Sequence, residues 1–205
     1  MNKLTEVRLT KPVMFENEYL FDKSTLIPKF EKISNNPNFI KGATPLLSGN
    51  GTGTSYNMSK DPIDWQPHLW VELTDFVIWV KEQATEVFKI WNFEYTNPII
   101  DNSWVNRHQK DGSTGSHYHH FCDLVVTAYV QAPIQSGNLI VTDPLEYHWL
   151  GFRSYINADI SYGNRILAKD NKVLFFASFL RHETEINQTN EDRWVMSFNI
   201  KTGPK

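Results

Sequence analysis

Three histidines fall within four consecutive positions of this 205-residue chain, in the run His117-Tyr118-His119-His120. In a β-strand, side chains two residues apart face the same side, so His117 and His119 are expected to project together while His120 projects away. Two neighbouring imidazoles form part of a metal site, and imidazole nitrogen suits zinc, iron, copper and nickel. The spacing therefore predicts a metal centre that takes a further ligand from elsewhere in the fold.

Two residues are candidates for that ligand. His182 follows the apolar segment 173–177, which is expected to form a buried strand and to place the histidine at its end. Asp123 is the alternative, because odd-numbered positions from 117 to 123 share one face as long as the strand stays regular. We prefer His182, which gives an all-histidine set, and keep Asp123 open.

The rest of the composition offers no competing chemistry. Cys122 is the only cysteine, which excludes an intrachain disulfide and a cysteine-rich zinc module. A Gly-x-Ser-x-Gly nucleophile motif is absent from the sequence. His108 and His148 are interpreted as ordinary, partly exposed histidines, and His68 as the start of a helix.

Charge and hydropathy indicate which partners and which location to expect for the protein. The 20 basic and 23 acidic residues give a net charge of −3, so general nucleic-acid binding is not expected. The first residues lack the unbroken apolar stretch of a signal peptide, and no run approaches the roughly 20 apolar residues of a membrane span. These features predict a soluble, cytoplasmic protein without a membrane partner.

The elements that must position the histidines divide the chain into two parts, although its length suits a single domain, 1–205. Residues 1–99 are expected to form a region of helices and loops that packs on a sheet. It contains a short helix capped by Ser24, the Gly/Ser/Thr-rich segment 42–62 and an amphipathic helix at 68–91. The composition of 42–62 predicts no regular element there, and a lid or a disordered segment are equally open.

Residues 100–205 show strand periodicity broken by turns, with no helix between the strands. The predicted strands are 103–109, 124–131, 138–142, 154–157, 172–177 and 193–200. Such a series predicts an antiparallel sandwich or jelly roll rather than a parallel sheet. The predicted fold class is therefore mainly β (α+β), a jelly-roll core flanked by N-terminal helices.

The histidine pair also belongs to a longer series of motifs. After His117-x-His119 come, in order, the strand 126–130, Gly137-Asn138-Leu139, Asp143-Pro144, the segment 175–182, Arg193 and the segment 197–199. The series resembles the iron(II)- and 2-oxoglutarate-dependent oxygenases, specifically their small branch common in marine bacteria and tailed phages. The resemblance covers about residues 103–199, includes Trp104-Val105-Asn106, and implies a double-stranded β-helix, the jelly roll of that family.

The resemblance also implies a chemistry. The family's enzymes are dioxygenases, and this one is expected to hydroxylate an unidentified substrate with O2, releasing succinate and CO2. Iron(II) would be held by His117, His119 and His182, and 2-oxoglutarate would chelate it through its keto and adjacent carboxylate oxygens. The cytoplasm in question would be that of a host cell if a phage encodes the chain.

The resemblance places Arg193 at the distal carboxylate of 2-oxoglutarate, where a planar guanidinium binds bidentately. Asn106 and Tyr129, both on predicted strands, are expected as helpers in cosubstrate binding. The commonest family motif is His-x-Asp, whereas His119 stands at its second position here. The family often carries a hydroxyl two residues after the arginine, but Val195 stands there, so support for the cosubstrate must come from elsewhere.

Two other interpretations stay open at this point. A cupin would use a His-x-His pair on a similar fold without 2-oxoglutarate. In a cupin, however, Arg193 would have no carboxylate of 2-oxoglutarate to bind. A non-enzymatic jelly-roll protein, structural or sugar-binding, would use the exposed aromatic residues as a contact surface.

Overall fold

The computed structural model describes residues 11–41, 47–48, 52–144 and 163–204. The strand predicted at 154–157, His148 and part of the segment 42–62 lie outside these residues. The described strands are β1 (Met14–Glu18), β2 (Ile40–Lys41), β3 (Leu47–Ser48), β4 (Thr52–Thr54), β5 (Asn97–His108), β6 (Ser113–Thr114), β7 (Leu124–Gln131), β8 (Leu139–Thr142), β9 (Gly163–Ile166), β10 (Lys172–Ala177), β11 (His182–Thr184) and β12 (Arg193–Gly203). The helices are α1 (Lys23–Ser34) and α2 (Thr74–Ile90).

Antiparallel sheets dominate the described part of the chain. The largest sheet has seven strands in the order β1-β10-β7-β12-β5-β4-β2, and a second has three in the order β11-β8-β9. The short strands β3 and β6 pair with each other. All strand pairs in the described residues are antiparallel. The predicted fold class, mainly β and antiparallel with helices near the N-terminus, is confirmed.

Side chains of the large sheet alternate between two environments. On β7, Val126 and Ala128 belong to a core that the sheet shares with α1 and α2. Their neighbours Val125 and Tyr129 belong to a second core, shared with β8 of the three-stranded sheet. Because successive strand residues point to opposite faces, β7 contributes to both cores, as do β10 and β12. The second face, between the two sheets, is where the predicted site residues lie.

Helix α2 packs on the first face of the sheet, as the apolar stripe in its sequence predicts. Its buried side chains are Phe76, Val80, Ala84, Val87 and Phe88. Full burial of a large apolar side chain contributes about 1.5–3 kcal/mol, so this stripe is sufficient to hold the helix on the sheet. The helix begins at Thr74 rather than at 68, because Trp70 has an extended backbone (φ −85°, ψ 135°) that interrupts any helix through it. Within the described ranges, no helix combines the length and the hydropathy needed to cross a membrane.

The region before β5 differs from its prediction in the cap of α1 and in four strands, β1 to β4, that the sequence did not predict. Helix α1 is capped by Asp22, whose carboxylate accepts hydrogen bonds from the backbone N–H groups of Ser24 and Thr25, so the predicted cap is wrong. Strand β1 was not predicted, and it pairs with β10 at the edge of the large sheet. Strand β4 lies within the segment expected to lack regular structure, because pairing with β5 and β2 overrides the low strand propensity of its Gly-Thr composition.

Candidate metal centre and cosubstrate pocket

The three histidines of the preferred ligand set converge. Ring nitrogens of His117, His119 and His182 lie within 4.8 Å of one another. The ring centroids of His117 and His182 are 4.3 Å apart, and His119 lies 5.2 Å from each of them. Among the described residues, this is the one group of three His, Cys, Asp or Glu side chains placed to share a metal ion.

Backbone pairing brings these residues together from distant parts of the chain. His182 opens β11 and forms a β-bridge with His117, in which each N–H donates to the other's carbonyl at 2.9 and 2.8 Å. The N–H of His119 donates to the Ser178 carbonyl at 3.0 Å. The expected strand around His117 is thus reduced to one bridge, but that bridge is enough to aim His117 and His119 at His182.

The alternative ligand Asp123 is not brought into the cluster. Phe121 has a φ of +61°, in the left-handed region that is uncommon for residues other than glycine. This turn ends the regular alternation on which the Asp123 prediction depended. The Asp123 carboxylate instead accepts a hydrogen bond from the Thr202 backbone N–H at 2.8 Å.

Hydrogen bonds set the tautomer of each ring. The Nδ1 atom of His117 lies 2.8 Å from the Gly115 carbonyl oxygen, and that of His182 lies 2.9 Å from the Leu180 carbonyl oxygen. The Nδ1 atom of His119 lies 2.6 Å from Oδ1 of Asn199. Because these oxygens only accept, each Nδ1 carries the proton and each Nε2 keeps its lone pair, the arrangement found in metal-binding histidines.

Burial keeps the rings neutral. Desolvation lowers the pKa of His119 to about 4 and, together with the two neighbouring histidines, lowers that of His182 to about 3. The pKa of His117 is also lowered, chiefly by burial. At neutral pH all three rings therefore present unprotonated Nε2 atoms, and Nε2 of His119 is buried without a hydrogen-bond partner. This donor set fits a divalent transition metal, iron(II) included.

Two aromatic side chains hold the rings in place. Trp104 stacks on His119 with ring centroids 5.7 Å apart and planes at 19°. Phe176 meets His182 edge-on at 4.9 Å and 70°. These contacts restrict ring rotation in addition to the Nδ1 hydrogen bonds, so the cluster is preorganised.

A cavity of about 480 Å³ adjoins the cluster. Alternate side chains of β5 and β12 line the cavity, because the side chains on the face of the large sheet toward the smaller sheet also face this space. All of the predicted cosubstrate residues, Arg193, Asn106 and Tyr129, are among its lining residues. Its volume lies within the range of about 300–1,000 Å³ that is usual for small-molecule sites.

Arg193 is completely buried, and its guanidinium is only half satisfied. Nη1 donates to the Ser136 carbonyl at 2.7 Å and also to the Gly137 carbonyl. Nε and Nη2 are buried and have no partner. These two N–H groups form one edge of the planar group, the edge that binds a carboxylate through two parallel hydrogen bonds. A surface ion pair with Asp192 is not formed, because Asp192 pairs with Arg107 at 2.6 Å.

The two predicted helpers occupy different positions around the cavity. Nδ2 of Asn106 donates to Oγ of Ser197 at 3.4 Å. Tyr129 is fully buried, and burial raises its pKa to about 12, so its hydroxyl stays protonated and able to donate. The structure brings both residues to the cavity, and their roles toward a cosubstrate stay predictions.

Two residues of the site were missed by the sequence prediction. His108 was expected to be partly exposed but is only 2% exposed and lines the cavity, so that expectation is wrong. Asn199, the hydrogen-bond partner of His119, received no role. Strand parity was the available signal: His108 lies two residues after Asn106, and Asn199 lies six after Arg193, so each shares a face with a predicted site residue.

Comparisons with known proteins agree with this geometry. Residues 102–199, which contain the histidine cluster and Arg193, match the family model described as "Putative 2OG-Fe(II) oxygenase". A search of curated protein sequences gave no match.

Solved structures are similar over most of the chain. A Pseudomonas putida prolyl-4-hydroxylase has a TM-score of 0.58 at 6% identity, with 93% of each chain covered. The viral collagen prolyl hydroxylase of Paramecium bursaria Chlorella virus-1, in its 2-oxoglutarate complex, has a TM-score of 0.54 at 9% identity, covering 94% of this chain and 97% of that one. The carbocyclase SnoK from nogalamycin biosynthesis has a TM-score of 0.61 at 11% identity, covering 93% and 79%.

At such low identity these likenesses show the fold, and they confirm the double-stranded β-helix. The family match covers residues 102–199, and this segment, which carries the three histidines and Arg193, is similar to the 2OG-Fe(II) oxygenases.

Proposed function

We propose that the chain hydroxylates a C–H bond of its substrate as an iron(II)- and 2-oxoglutarate-dependent oxygenase. One juxtaposition carries the proposal: a cluster of three neutral imidazoles and a buried guanidinium with a free bidentate edge line the same cavity. Each feature alone is unselective, because the cluster suits several metals and an arginine suits many anions. Together they suit a ligand with a metal-chelating end and a distal carboxylate, which describes 2-oxoglutarate.

His117, His119 and His182 would hold the metal on one side through Nε2. Iron(II) bound there supplies O2 activation, in a reaction that converts 2-oxoglutarate to succinate and CO2 and places one oxygen atom of O2 in the substrate hydroxyl. The protein's part is to keep the three ligands neutral and oriented, by the burial and Nδ1 hydrogen bonds described above.

Arg193 would orient the cosubstrate. Its Nε and Nη2 groups are held in place by the two carbonyl contacts of Nη1, so the free edge is fixed before any ligand arrives. A distal carboxylate at this edge forms two charge-assisted hydrogen bonds and neutralises a buried cation. In a cupin that does not use 2-oxoglutarate, this buried and half-satisfied guanidinium would have no ligand.

The primary substrate would approach from the exposed side of the cavity. Tyr118 and Phe121 line the cavity there and are 44% and 90% exposed. Exposed aromatic side chains commonly serve as binding contacts, so we expect the substrate to lie against them. A cytoplasmic location is part of the proposal, because that compartment is kept reducing, which favours iron(II). So is a single domain, 1–205, since α1 and α2 share a core with the large sheet.

The test is succinate formation from 2-oxoglutarate by the purified protein supplied with iron(II) and air. The wild type should form succinate in a metal-dependent reaction. His182→Ala should form none, because only two of the three imidazoles that hold the metal remain. His120→Ala is the matched control, since His120 adjoins the cluster in sequence but is exposed and stands outside it. Wild-type turnover by His182→Ala, or an iron-loaded wild type that forms no succinate, would refute the proposal.

A further inference from the structure

His108 is a buried histidine beside the proposed cosubstrate pocket, and half of its ring has no partner. It ends β5, lies directly opposite Arg193 in the pairing of β5 with β12, and lines the same cavity. Its Nδ1 atom is buried without a hydrogen bond. Among the described residues, Nε and Nη2 of Arg193 are likewise buried without a partner, as is Oγ of Ser136, whose carbonyl accepts from Arg193.

The contact on the other side of the ring links the tautomer of His108 to the direction of one hydroxyl hydrogen bond. Nε2 of His108 lies 2.8 Å from Oγ1 of Thr114, a hydroxyl that can donate as well as accept. Desolvation and the neighbouring Arg193 hold the pKa of His108 well below its ordinary value, so the ring is neutral. If the Thr114 hydroxyl donates to Nε2, the ring proton lies on Nδ1, and the unpartnered atom is a buried donor on a cavity-lining residue opposite Arg193.

The sequence offers no hydrogen-bonding side chain two residues after Arg193. Val195 stands there, where its apolar side chain offers no hydrogen bond. In the register of the sheet, Val195 pairs with Asn106, and the next site-facing position of β5 is His108. A donor on His108 therefore lies opposite Arg193 itself, one site-facing position along β5 from the residue that pairs with Val195.

We propose that Nδ1–H of His108 is a second anchor for the distal carboxylate of 2-oxoglutarate, beside the Nε/Nη2 edge of Arg193. The inference rests on the proposed function and assigns His108 the selection of 2-oxo acids that carry a second carboxylate. A histidine that serves only the packing of the sheet would affect ligands with and without a distal carboxylate alike.

The experiment measures binding, not turnover. Protein loaded with Mn(II) is titrated calorimetrically with 2-oxoglutarate and with 2-oxopentanoate, which has a methyl group in place of the distal carboxylate. Two variants separate the ring nitrogens: the side-chain amide of Asn lies near the position of Nδ1, whereas that of Gln lies near Nε2. His108→Gln should weaken 2-oxoglutarate binding by about 10-fold or more, the effect of one hydrogen bond to a charged group, and leave 2-oxopentanoate within about 3-fold.

His108→Asn should restore 2-oxoglutarate binding to within about 3-fold of the wild type, because the amide N–H replaces Nδ1–H. Mn(II) stoichiometry and melting temperature show whether each variant is folded. If His108→Gln does not fold, Thr114→Val carries the same test, since it removes the hydroxyl that fixes the tautomer and should weaken 2-oxoglutarate selectively. Equal loss of both ligands, or no loss of either, overturns the inference.

The outcomes also separate this inference from the proposed function. A Mn(II)-loaded wild type that does not bind 2-oxoglutarate overturns both. A wild type that prefers 2-oxoglutarate over 2-oxopentanoate, together with a His108→Gln variant that keeps that preference, overturns the role of His108 and leaves the oxygenase assignment standing.

Discussion

Gly137 positions Arg193, and its substitution by alanine should damage the cosubstrate pocket before the metal site. Its φ of +89° is one that residues with a Cβ rarely adopt. A Cβ there would lie 2.8 Å from the Glu185 carbonyl carbon and 2.9 Å from Nη1 of Arg193. The Gly137 carbonyl also accepts a hydrogen bond from that same Nη1.

The size of the effect follows from these contacts. The left-handed backbone costs an alanine about 1–2 kcal/mol. Overpacking against a backbone carbonyl, which cannot move aside as a side chain can, adds about 1–3 kcal/mol. The free energy of unfolding should therefore fall by about 2–5 kcal/mol, which for a chain of this length lowers the melting temperature by about 4–20 °C.

The assay compares Gly137→Ala with Gly203→Ala. At Gly203 the nearest atom to a new Cβ is Cδ1 of Ile99 at 2.5 Å, the end of a flexible and 45% exposed side chain that can rotate away. Gly203→Ala should keep the wild-type melting temperature within a few degrees and bind 2-oxoglutarate normally, whereas Gly137→Ala should lose stability and 2-oxoglutarate affinity while still binding Mn(II). The reasoning is refuted if the two variants behave alike.

Three further predictions concern the same site. Asn199→Leu should lower metal affinity about 10- to 100-fold, because it removes the acceptor that orients His119, and Asn199→Asp should retain an acceptor; competition with a metal indicator measures both. Arg193→Lys should weaken 2-oxoglutarate binding about 10-fold or more with metal affinity unchanged, because a lysine cannot replace the bidentate edge. Equal 2-oxoglutarate affinities of the variant and the wild type, measured by calorimetry, would contradict this prediction. The metal-free protein should lose stability as the pH falls below about 6.5, because His119 and His182 have folded pKa values of about 4 and 3, so the unfolded chain binds protons first. The loss between pH 7 and 5.5 should be about 1 kcal/mol for each of the two histidines, and an unchanged urea midpoint would contradict it.

Much of the jelly roll could be predicted because strands such as β7 and β10 are runs of mostly apolar residues bounded by turns. The bounds of β7 and β10 are those predicted, 124–131 and 172–177. Short edge strands carry no such signal: β4 is a strand because β5 offers it a free edge, and β1 because β10 does. Pairing partners of this kind lie far away in sequence, so local composition does not indicate them.

The regular alternation of side chains along a strand predicted that His117 and His119 lie together. The same alternation kept Asp123 as an alternative ligand. Alternation correctly aims His117 and His119 together, but the left-handed Phe121 has no sequence marker such as glycine or asparagine. The burial of His108 depends on Arg193 and Thr114, which reach it from β12 and β6. The burial of His108 can therefore be recognised only once the pairing of the strands is known.

The central claim is that one iron(II) and one 2-oxoglutarate bind together at the three histidines and Arg193. Anaerobic addition of iron(II) and then 2-oxoglutarate to the metal-free protein tests it most directly, since chelation of iron(II) by the 2-oxo acid produces a visible charge-transfer absorption. We predict a band that saturates at one iron and one 2-oxoglutarate per chain, that is lost in His182→Ala and that persists in His120→Ala. A protein that binds both ligands without the band, or a band that survives in His182→Ala, would contradict the claim.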